Sequence, residues 1–260
     1  MENKAVLLEI IESTAIITFN RPERYNAVNH DFIEGINYVF SVIKNDDNVR
    51  AVVLTGNGKG FCAGADLTTM GTLSAEDSRD YIIDNYKPIL NNFLSLRKPI
   101  IGAINGTAAG VGAAFALACD FRVMSNESSL LYAFINIGLG PDGGASWLLS
   151  RQVGYSKALE IATSGKRVMG EDCLKLGLTN KLVENHQILS VAKDWAKELS
   201  LKPTVGVGIT KHDMIFSLNN DLLDTIEFEA KEQVAAFHSE DLKEGVSAFL
   251  EKRKANFKGK

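Results

Sequence analysis

Three turns in this sequence combine residue types and spacing that suggest chemistry. The first, residues 105–112, is glycine-rich and lies between a short apolar run and an uncharged, alanine-rich segment, residues 113–119. That order predicts a strand, a turn and a buried helix, whose free N–H groups would face the turn. Such a helix end stabilises anions and developing negative charge. Tight packing of helix on strand, without any ligand, is the alternative, and this stretch alone favours neither.

The second turn is residues 61–67 (FCAGADL), in which small residues around a glycine let backbone groups approach a ligand directly. A plain loop is the alternative there. The third turn, residues 138–146, holds a single acid, Asp142, among glycine and apolar neighbours. Its carboxylate either caps the helix predicted to begin near Ser146 or acts as a base that faces a ligand.

Composition narrows the classes of function. The chain has 260 residues, of which 45% are hydrophobic and 23% charged, which is typical of a globular protein with a large core. Its net charge of −4 gives no reason to expect nucleic-acid or anionic-membrane binding. The N-terminal residues lack the pattern of a secretory signal, and no uncharged apolar run reaches the ~18 residues of a membrane span. We therefore expect a cytoplasmic protein.

The spacing of cysteine, histidine and glycine residues disfavours metal and dinucleotide sites. The three cysteines are an odd number without metal-ligand spacing, which predicts free thiols in a reducing compartment, and the four histidines are scattered. The glycines at 110 and 112 lack the third glycine of a dinucleotide fingerprint, so a nicotinamide-dependent dehydrogenase is disfavoured. We expect neither a metal nor a separate cofactor.

Alternating strand and helix patterns would position the three turns in an α/β core. The pattern of residues 5–11 and 15–19 predicts a hairpin, and that of residues 49–55 predicts a strand. Asn29 is predicted to cap the helix between them. Ser74 is predicted to cap a helical region that Pro88 kinks. The apolar stripe on that region, which includes Tyr86, indicates core packing or a pocket wall.

Strand patterns end near residue 187 and four helix patterns follow, so we predict a core over residues 1–195 and a helical module over 196–260.

Four segments together resemble the enoyl-CoA hydratase/isomerase (crotonase) superfamily. They are FCAGADL (61–67), INGTAAGVGAAFALACD (104–120), PDGGASWL (141–148) and EGVSAFLEKRKANFK (244–258), and the likeness covers almost the whole chain. The resemblance implies an α/β fold built as a crotonase-like spiral of ββα units with a C-terminal α-helical oligomerisation module. It also implies an acyl-CoA thioester substrate and a homotrimer or a dimer of trimers.

The resemblance also assigns expected roles to residues. The backbone N–H groups of Ala65 and Val111 match the pair that grips the thioester oxygen, although Val111 occupies a position where glycine is common. Arg24 matches a basic residue that contacts the CoA phosphates, and Arg21 is near enough to share that role. The remaining expected contacts with CoA are Ala63, Asp66, Leu67, Phe249 and Lys252, the last two either from the same chain or from another subunit. A solvated helix face is the alternative for Lys252.

Departures from the family pattern decide which chemistry we expect. The two glutamates with which hydratases of the family activate water fall at Ala114 and Phe134, neither of which transfers a proton. Asp142 lies where double-bond isomerases of the family carry an acid. We therefore expect an isomerase that moves a 3-enoyl-CoA double bond to the 2-position, with Asp142 as the proton shuttle. The alternatives are a hydratase that uses Asp142 in another way and a non-catalytic CoA-ester binding protein.

Overall fold

The strands form two separate β-sheets in the computed structural model, which describes residues 4–71 and 73–260. The larger sheet has the strand order β1-β2-β3-β5-β7-β10 and the smaller has the order β4-β6-β8-β9. In chain order these strands are β1 (Val6–Ile11), β2 (Thr14–Phe19), β3 (Ala51–Gly56), β4 (Gly60–Cys62), β5 (Ile100–Ala103), β6 (Thr107–Ala109), β7 (Phe121–Met124), β8 (Ser129–Leu131), β9 (Arg167–Met169) and β10 (Lys181–Leu182).

Helices follow the strands and then continue alone to the C-terminus. They are α1 (His30–Lys44), α2 (Leu67–Met70), α3 (Ala75–Tyr81), α4 (Lys87–Ser95), α5 (Val111–Ala118), α6 (Ala145–Val153), α7 (Tyr155–Ser164), α8 (Gly170–Lys175), α9 (Ile188–Ser200), α10 (Thr204–Ser217), α11 (Leu222–His238) and α12 (Glu240–Glu251). Short 3₁₀ turns occur at Pro22–Arg24, Ala133–Ile137 and Asn185–Gln187, and one π-helical turn at Ile82–Tyr86 joins α3 to α4.

The chain alternates between the two sheets, which produces the expected spiral of ββα units. After the antiparallel β1–β2 hairpin and α1, each strand of the larger sheet is followed by one of the smaller sheet: β3 by β4, β5 by β6, and β7 by β8. Within each sheet, successive units pair in parallel. The predicted α/β class is therefore confirmed. Because β4 and β6 pair in parallel, the glycine turns that follow them lie side by side.

Most of the core lies between the two sheets and the helices of the units, while α9 covers the outer face of the larger sheet. Ile188, Ala192 and Ala196 of α9 pack there in a second apolar cluster with strand residues such as Val53 and Ile101. The boundary predicted at residue 195 falls inside α9, and the division into two modules stays a prediction. No helix in the described part of the chain has the length and apolarity needed to cross a membrane.

Helix starts were predicted well and the shortest strands were not. The side chain of Asn29 accepts a hydrogen bond from the Phe32 amide, and that of Ser74 accepts one from the Asp77 amide, so both predicted caps are confirmed. Strands of three residues, such as β6 and β9, are too short to show an alternating pattern. The irregularity predicted at Pro88 lies one turn earlier, in the π-helical turn, where the Lys87 amide donates to the Ile82 carbonyl oxygen.

The C-terminal helices differ in how firmly they join the core. Helix α10 is tied to it by an ion pair of 2.9 Å between Lys211 Nζ and Asp120 Oδ2. Arg50 of the core holds the chain around α10 and the tail through Thr204 Oγ1 and the Phe257 carbonyl oxygen. In contrast, α11 buries none of its residues. Except for the half-buried Phe228, its large apolar side chains are exposed, as are several on α12: Leu222, Leu223, Ile226, Val234, Phe237, Val246, Phe249 and Leu250.

Candidate active site

The turn between β6 and α5 presents an uncapped helix N-terminus inside the protein. Gly110 is the N-cap residue of α5, with φ of +53°, and it contributes no side chain to cap the helix. Its own amide donates to the Leu131 carbonyl oxygen at 3.0 Å. The amide of Val111, the next residue, donates to no acceptor in residues 4–71 and 73–260. Every residue of α5 is buried, so this free N–H group lies in an environment of low polarity.

A second free amide lies on the neighbouring turn. Val28 forms a parallel bridge with Ala65: its amide donates to the Gly64 carbonyl oxygen, and its own carbonyl oxygen accepts from the Asp66 amide. In that arrangement the amide of Ala65 itself points away from Val28. No acceptor for it occurs in the described parts of the chain.

The two turns are in contact through their glycines. A Cβ atom on Gly64, which has φ of +91°, would lie 2.8 Å from the Ala109 carbonyl oxygen, so only glycine permits this approach. A Cβ atom on Gly110 would lie 3.8 Å from the Gly64 Cα atom. The amides of Ala65 and Val111 each follow one of these glycines directly. The fold therefore brings together the two backbone donors that the resemblance predicted.

Apolar side chains occupy the two positions at which the resemblance predicts the water-activating glutamates of a hydratase. The Phe134 ring lies 3.9 Å from the position of a Cβ atom on Gly110, so it covers the first turn. Ala114 is fully buried in α5. Neither side chain donates, accepts or transfers a proton, so neither activates a water molecule.

Asp142 lies in the third turn and does not cap a helix. The N-cap residue of α6 is Gly144, and no side chain caps that helix, so the capping interpretation of Asp142 is wrong. The Oδ1 atom of Asp142 is buried and has no hydrogen-bond partner among the described residues. Burial raises the pKa of this carboxyl group to about 6, because the charged form loses its hydration. A carboxyl group with a pKa near neutrality both accepts and returns protons readily.

The third turn packs directly against the first. A Cβ atom on Gly143 would lie 2.8 Å from Val111 Cγ2, so the valine side chain contacts the residue next to Asp142. The β-branched side chain of Val111 therefore supports the Asp142 turn. A Cβ atom on Gly143 would also lie 3.8 Å from the ring of Tyr86. Tyr86 was assigned to an apolar stripe by its spacing alone, and nothing in the sequence indicated its place beside Asp142.

The predicted contacts for the CoA moiety divide into exposed and engaged groups. Arg24 is exposed, and its guanidinium makes no ion pair within the described residues. Arg21 instead bonds to the Ala27 carbonyl oxygen and pairs with Asp66 at 3.3 Å, so it stabilises the loop and is not free to bind phosphate as we had suggested. Ala63 is exposed, and its amide bonds to the Tyr25 carbonyl oxygen at 2.9 Å.

Asp66 and Leu67 point in opposite directions. The Asp66 carboxylate is turned inward, where hydrogen bonds from Thr68 and Arg21 outweigh burial and lower its pKa. Leu67 is 58% exposed. Phe249 and Lys252 lie at the C-terminal end of α12, both exposed, and no described hydrogen bond or ion pair joins them to the turns of the site. Within the described residues of one chain, these two therefore make no polar contact with the site.

Comparison with known proteins gives a consistent result over the whole chain. A family model described as enoyl-CoA hydratase/isomerase matches residues 9–260. A 1,2-epoxyphenylacetyl-CoA isomerase of Escherichia coli K12 is 34% identical over 258 residues, with 98% of each chain covered. A short-chain-enoyl-CoA hydratase of Clostridium acetobutylicum is 34% identical over 255 residues, covering 98% of this chain and 97% of the relative. The crystal structure of an enoyl-CoA hydratase from Bacillus anthracis has a TM-score of 0.93 at 28% identity, covering 98% of this chain and 100% of that one.

Proposed function

Because this chain belongs to the enoyl-CoA hydratase/isomerase family, we propose that it is an isomerase that converts a 3-enoyl-CoA to the conjugated 2-enoyl-CoA. The single observation that supports this most is the environment of Asp142. Its Oδ1 atom is buried without a partner among the described residues, and burial raises the pKa of its carboxyl group to about 6. A base without a hydrogen-bond partner of its own is available to a substrate.

The proposed reaction is a proton shuttle. The Asp142 carboxylate removes a proton from C2, and the electron pair of that C–H bond moves into the conjugated system as a dienolate. The protonated Asp142 then returns the proton at C4, which leaves the double bond between C2 and C3. No other reactant is consumed, and no cofactor is needed beyond the CoA that the substrate contains.

The free amides of Ala65 and Val111 would stabilise the dienolate on its oxygen. Deprotonation at C2 places negative charge on the thioester oxygen, and both donors are backbone groups that need no rearrangement. One such preorganised donor is worth about 3–4 kcal/mol in the transition state. The N-terminus of α5 adds a favourable electrostatic contribution at the same place.

Binding of the CoA moiety is proposed at the exposed surface beside the second turn. Arg24 supplies a positive charge for the phosphates, and the exposed Ala63 and Leu67 form the adjoining surface for the adenine. The buried Asp66 carboxylate holds this loop in place through Arg21 and Thr68. Phe249 and Lys252 would complete it from a neighbouring subunit. We therefore propose a homotrimer or a dimer of trimers, supported by the exposed apolar side chains of α11 and α12. Light scattering that gives a monomer of 28.3 kDa would contradict the assembly.

A hydratase is the second candidate, and the names of relatives such as the C. acetobutylicum enzyme favour it. Hydration requires an activated water, and Ala114 and Phe134 leave Asp142 as the only acid in this part of the described site. A non-catalytic CoA-ester binding protein would have no use for a buried, unpaired carboxyl group, which costs stability. Both candidates therefore explain fewer features of the site than the isomerase does.

The test is a paired assay of both reactions on wild type and Asp142→Asn. The wild type should isomerise 3-enoyl-CoA much faster than it hydrates 2-enoyl-CoA. Asparagine keeps the size but accepts no proton, so isomerisation should fall by about two to four orders of magnitude. Affinity for the saturated ester butyryl-CoA should persist. Fast hydration by the wild type, or full isomerase activity in the variant, would contradict the proposal; tight binding without any turnover would favour the binding protein.

A further inference from the structure

A second buried polar atom without a partner among the described residues belongs to Tyr86, whose ring packs near the residue that follows Asp142. The hydroxyl group of Tyr86 makes no hydrogen bond to any described residue, and Tyr86 is fully buried. Its ring lies 3.8 Å from the position of a Cβ atom on Gly143, the residue that follows Asp142. Two unsatisfied polar atoms, one a donor and one an acceptor, therefore occupy the same part of an otherwise apolar site.

The local backbone places Tyr86 there through an uncommon element. Tyr86 is the last residue of the π-helical turn between α3 and α4. A π turn inserts one extra residue and rotates the side chains that follow, and such turns occur frequently at functional sites. The ring of Tyr86 is held edge-on by that of Tyr81, with centroids 5.6 Å apart. The position of the hydroxyl group is thus determined by packing around the ring and not by any bond of its own.

Packing alone does not explain a tyrosine at this position. A buried hydroxyl group without a partner is destabilising, and a phenylalanine would fill the same space without that cost. Tyr132, a second buried tyrosine near the site, shows the usual arrangement, because its hydroxyl group donates to the Ala145 carbonyl oxygen at 3.1 Å. The contrast between the two residues indicates that the Tyr86 hydroxyl group has its partner in a liganded state.

We infer that Tyr86 is a positioning residue for Asp142, donating a hydrogen bond to its carboxylate when an acyl-CoA occupies the site. This inference rests on the proposed function, in which Asp142 is the base. Catalytic hydrogen bonds are often long in an empty site and shorten only in the substrate complex. One carboxylate oxygen would accept from Tyr86 while the other faces the substrate, so that the same oxygen reaches both C2 and C4.

The ionisation states of the groups around Tyr86 are consistent with this role. Burial, with smaller contributions from Tyr81, Asp142 and Cys62, raises the pKa of Tyr86 far above neutrality, so its hydroxyl group keeps its proton throughout. Burial also raises the pKa of Tyr81, and that of Cys62 to about 12, so both stay neutral. Asp66, which faces Tyr81, has a lowered pKa and stays ionised. Only Asp142 titrates between pH 5 and 7 in this group.

Tyr86→Phe isolates the hydroxyl group, and Tyr132→Phe is the matched control. In Tyr86→Phe, kcat for 3-enoyl-CoA isomerisation should fall about 10- to 100-fold, as expected for a hydrogen bond to a charged group, with KM nearly unchanged. Loss of a donor to the carboxylate raises its pKa, so the acid limb of the kcat profile should move to higher pH. The melting temperature should not fall, because no bond is removed. Tyr132→Phe should show the reverse: a lower melting temperature and an unchanged pH profile.

A measurement that does not depend on turnover separates this inference from the proposed function. The ¹³C resonance of the Asp142 carboxyl group, assigned by its loss in Asp142→Asn, is titrated in wild type and Tyr86→Phe with saturating butyryl-CoA. We expect a higher pKa for Asp142 in the variant. Equal pKa values, or an unchanged kcat and acid limb in Tyr86→Phe, would overturn the role of Tyr86 even if Asp142 proves essential. A raised pKa would support it even if Asp142→Asn retained full isomerase activity, a result that would count only against the proposed function.

Discussion

The turn at the start of α5 and the C-terminal pair α11–α12 lack opposite kinds of contact. Within the described part of the chain, the turn has polar groups without partners, and the helix pair has apolar side chains without a covering surface. All of α5 is buried, and the site beside it holds polar groups that lack a partner among the described residues: two backbone amides, the Asp142 Oδ1 atom and the Tyr86 hydroxyl group. The C-terminal pair exposes large apolar side chains, while acids such as Glu244 and Asp241 are hydrogen-bonded. An unsatisfied polar group in an apolar site is matched by a polar ligand, and an exposed apolar face by another apolar surface.

We predict that adding a methyl group changes the free energy of unfolding in opposite directions in the two regions. This is the largest effect on stability that we expect. In Gly112→Ala, the new Cβ atom would collide with the Cys62 carbonyl oxygen, a backbone atom that has no room to move. The free energy of unfolding should fall by about 3 kcal/mol. In Gly245→Ala, the Cβ atom meets only the Phe257 ring, at 3.4 Å, and better helix propensity should stabilise α12 by about 0.5–1 kcal/mol.

Urea unfolding of Gly112→Ala and of Gly245→Ala measures the change in the free energy of unfolding that each substitution causes. Proline is not suitable as a control in these helices, because it would disrupt either one, so each variant is compared with wild type. Equal and small changes in the two variants would show that the β4 and α5 backbones are not packed as closely as described.

The second prediction concerns the stability of Asp142→Asn. The pKa of Asp142 is about 6 in the folded protein and near its ordinary value of 3.8 when unfolded, so the folded state holds the proton more tightly. Wild-type stability should therefore fall as pH rises from about 4 to 6 and stay reduced above that. At pH 7 the variant should be more stable than wild type by about 2 kcal/mol, after allowance for partial exposure. Denaturant unfolding at pH 4 and pH 7 should show a gain only at the higher pH.

The third prediction tests the exposed basic residue beside the second turn. Arg24→Ala should raise KM for a CoA ester about tenfold with little change in kcat, because the contact with phosphate is the same in the ground and transition states. Arg21→Ala should instead lower thermal stability, since Arg21 bonds within the loop. A KM unaffected by Arg24→Ala would remove this residue from the proposed binding surface.

The smallest effect is expected at Glu244 in the C-terminal region, and its pH dependence has the opposite sign to that of Asp142. Hydrogen bonds from Arg253 and from the Asn256 amide lower the pKa of Glu244 to about 2. Its ionised form therefore stabilises the fold above the ordinary pKa of 4.5, and that contribution is lost as pH falls toward 2. Glu244→Gln should lower the melting temperature slightly at pH 7 and leave it unchanged near pH 2. A larger decrease in melting temperature near pH 2 than at pH 7 would contradict a stabilising role for the ionised form of Glu244.

Local patterns were enough to predict the parts of the fold that depend on a few neighbouring residues. Caps at Asn29 and Ser74, the β1–β2 hairpin and the four C-terminal helices all follow from propensities and spacing that operate over about one turn. Strands such as β4, β6 and β9 were missed because three residues show no period and gain their order only from pairing in the sheet. The loop role of Arg21 was also missed, since its partner Asp66 is 45 positions away.

For the candidate site, the sequence by itself determined which chemical groups are present and which are not. It contains Asp142 in a glycine turn, small residues in the two other turns, and Ala114 and Phe134 at the positions where the resemblance predicts the acids of a hydratase. Only the tertiary structure decided that Asp142 caps no helix and that its Oδ1 atom is buried, which is what raises its pKa. It also brought the ring of Tyr86 near Gly143, the residue that follows Asp142. Burial and hydrogen bonding are properties of contacts between distant segments, and no local pattern contains them.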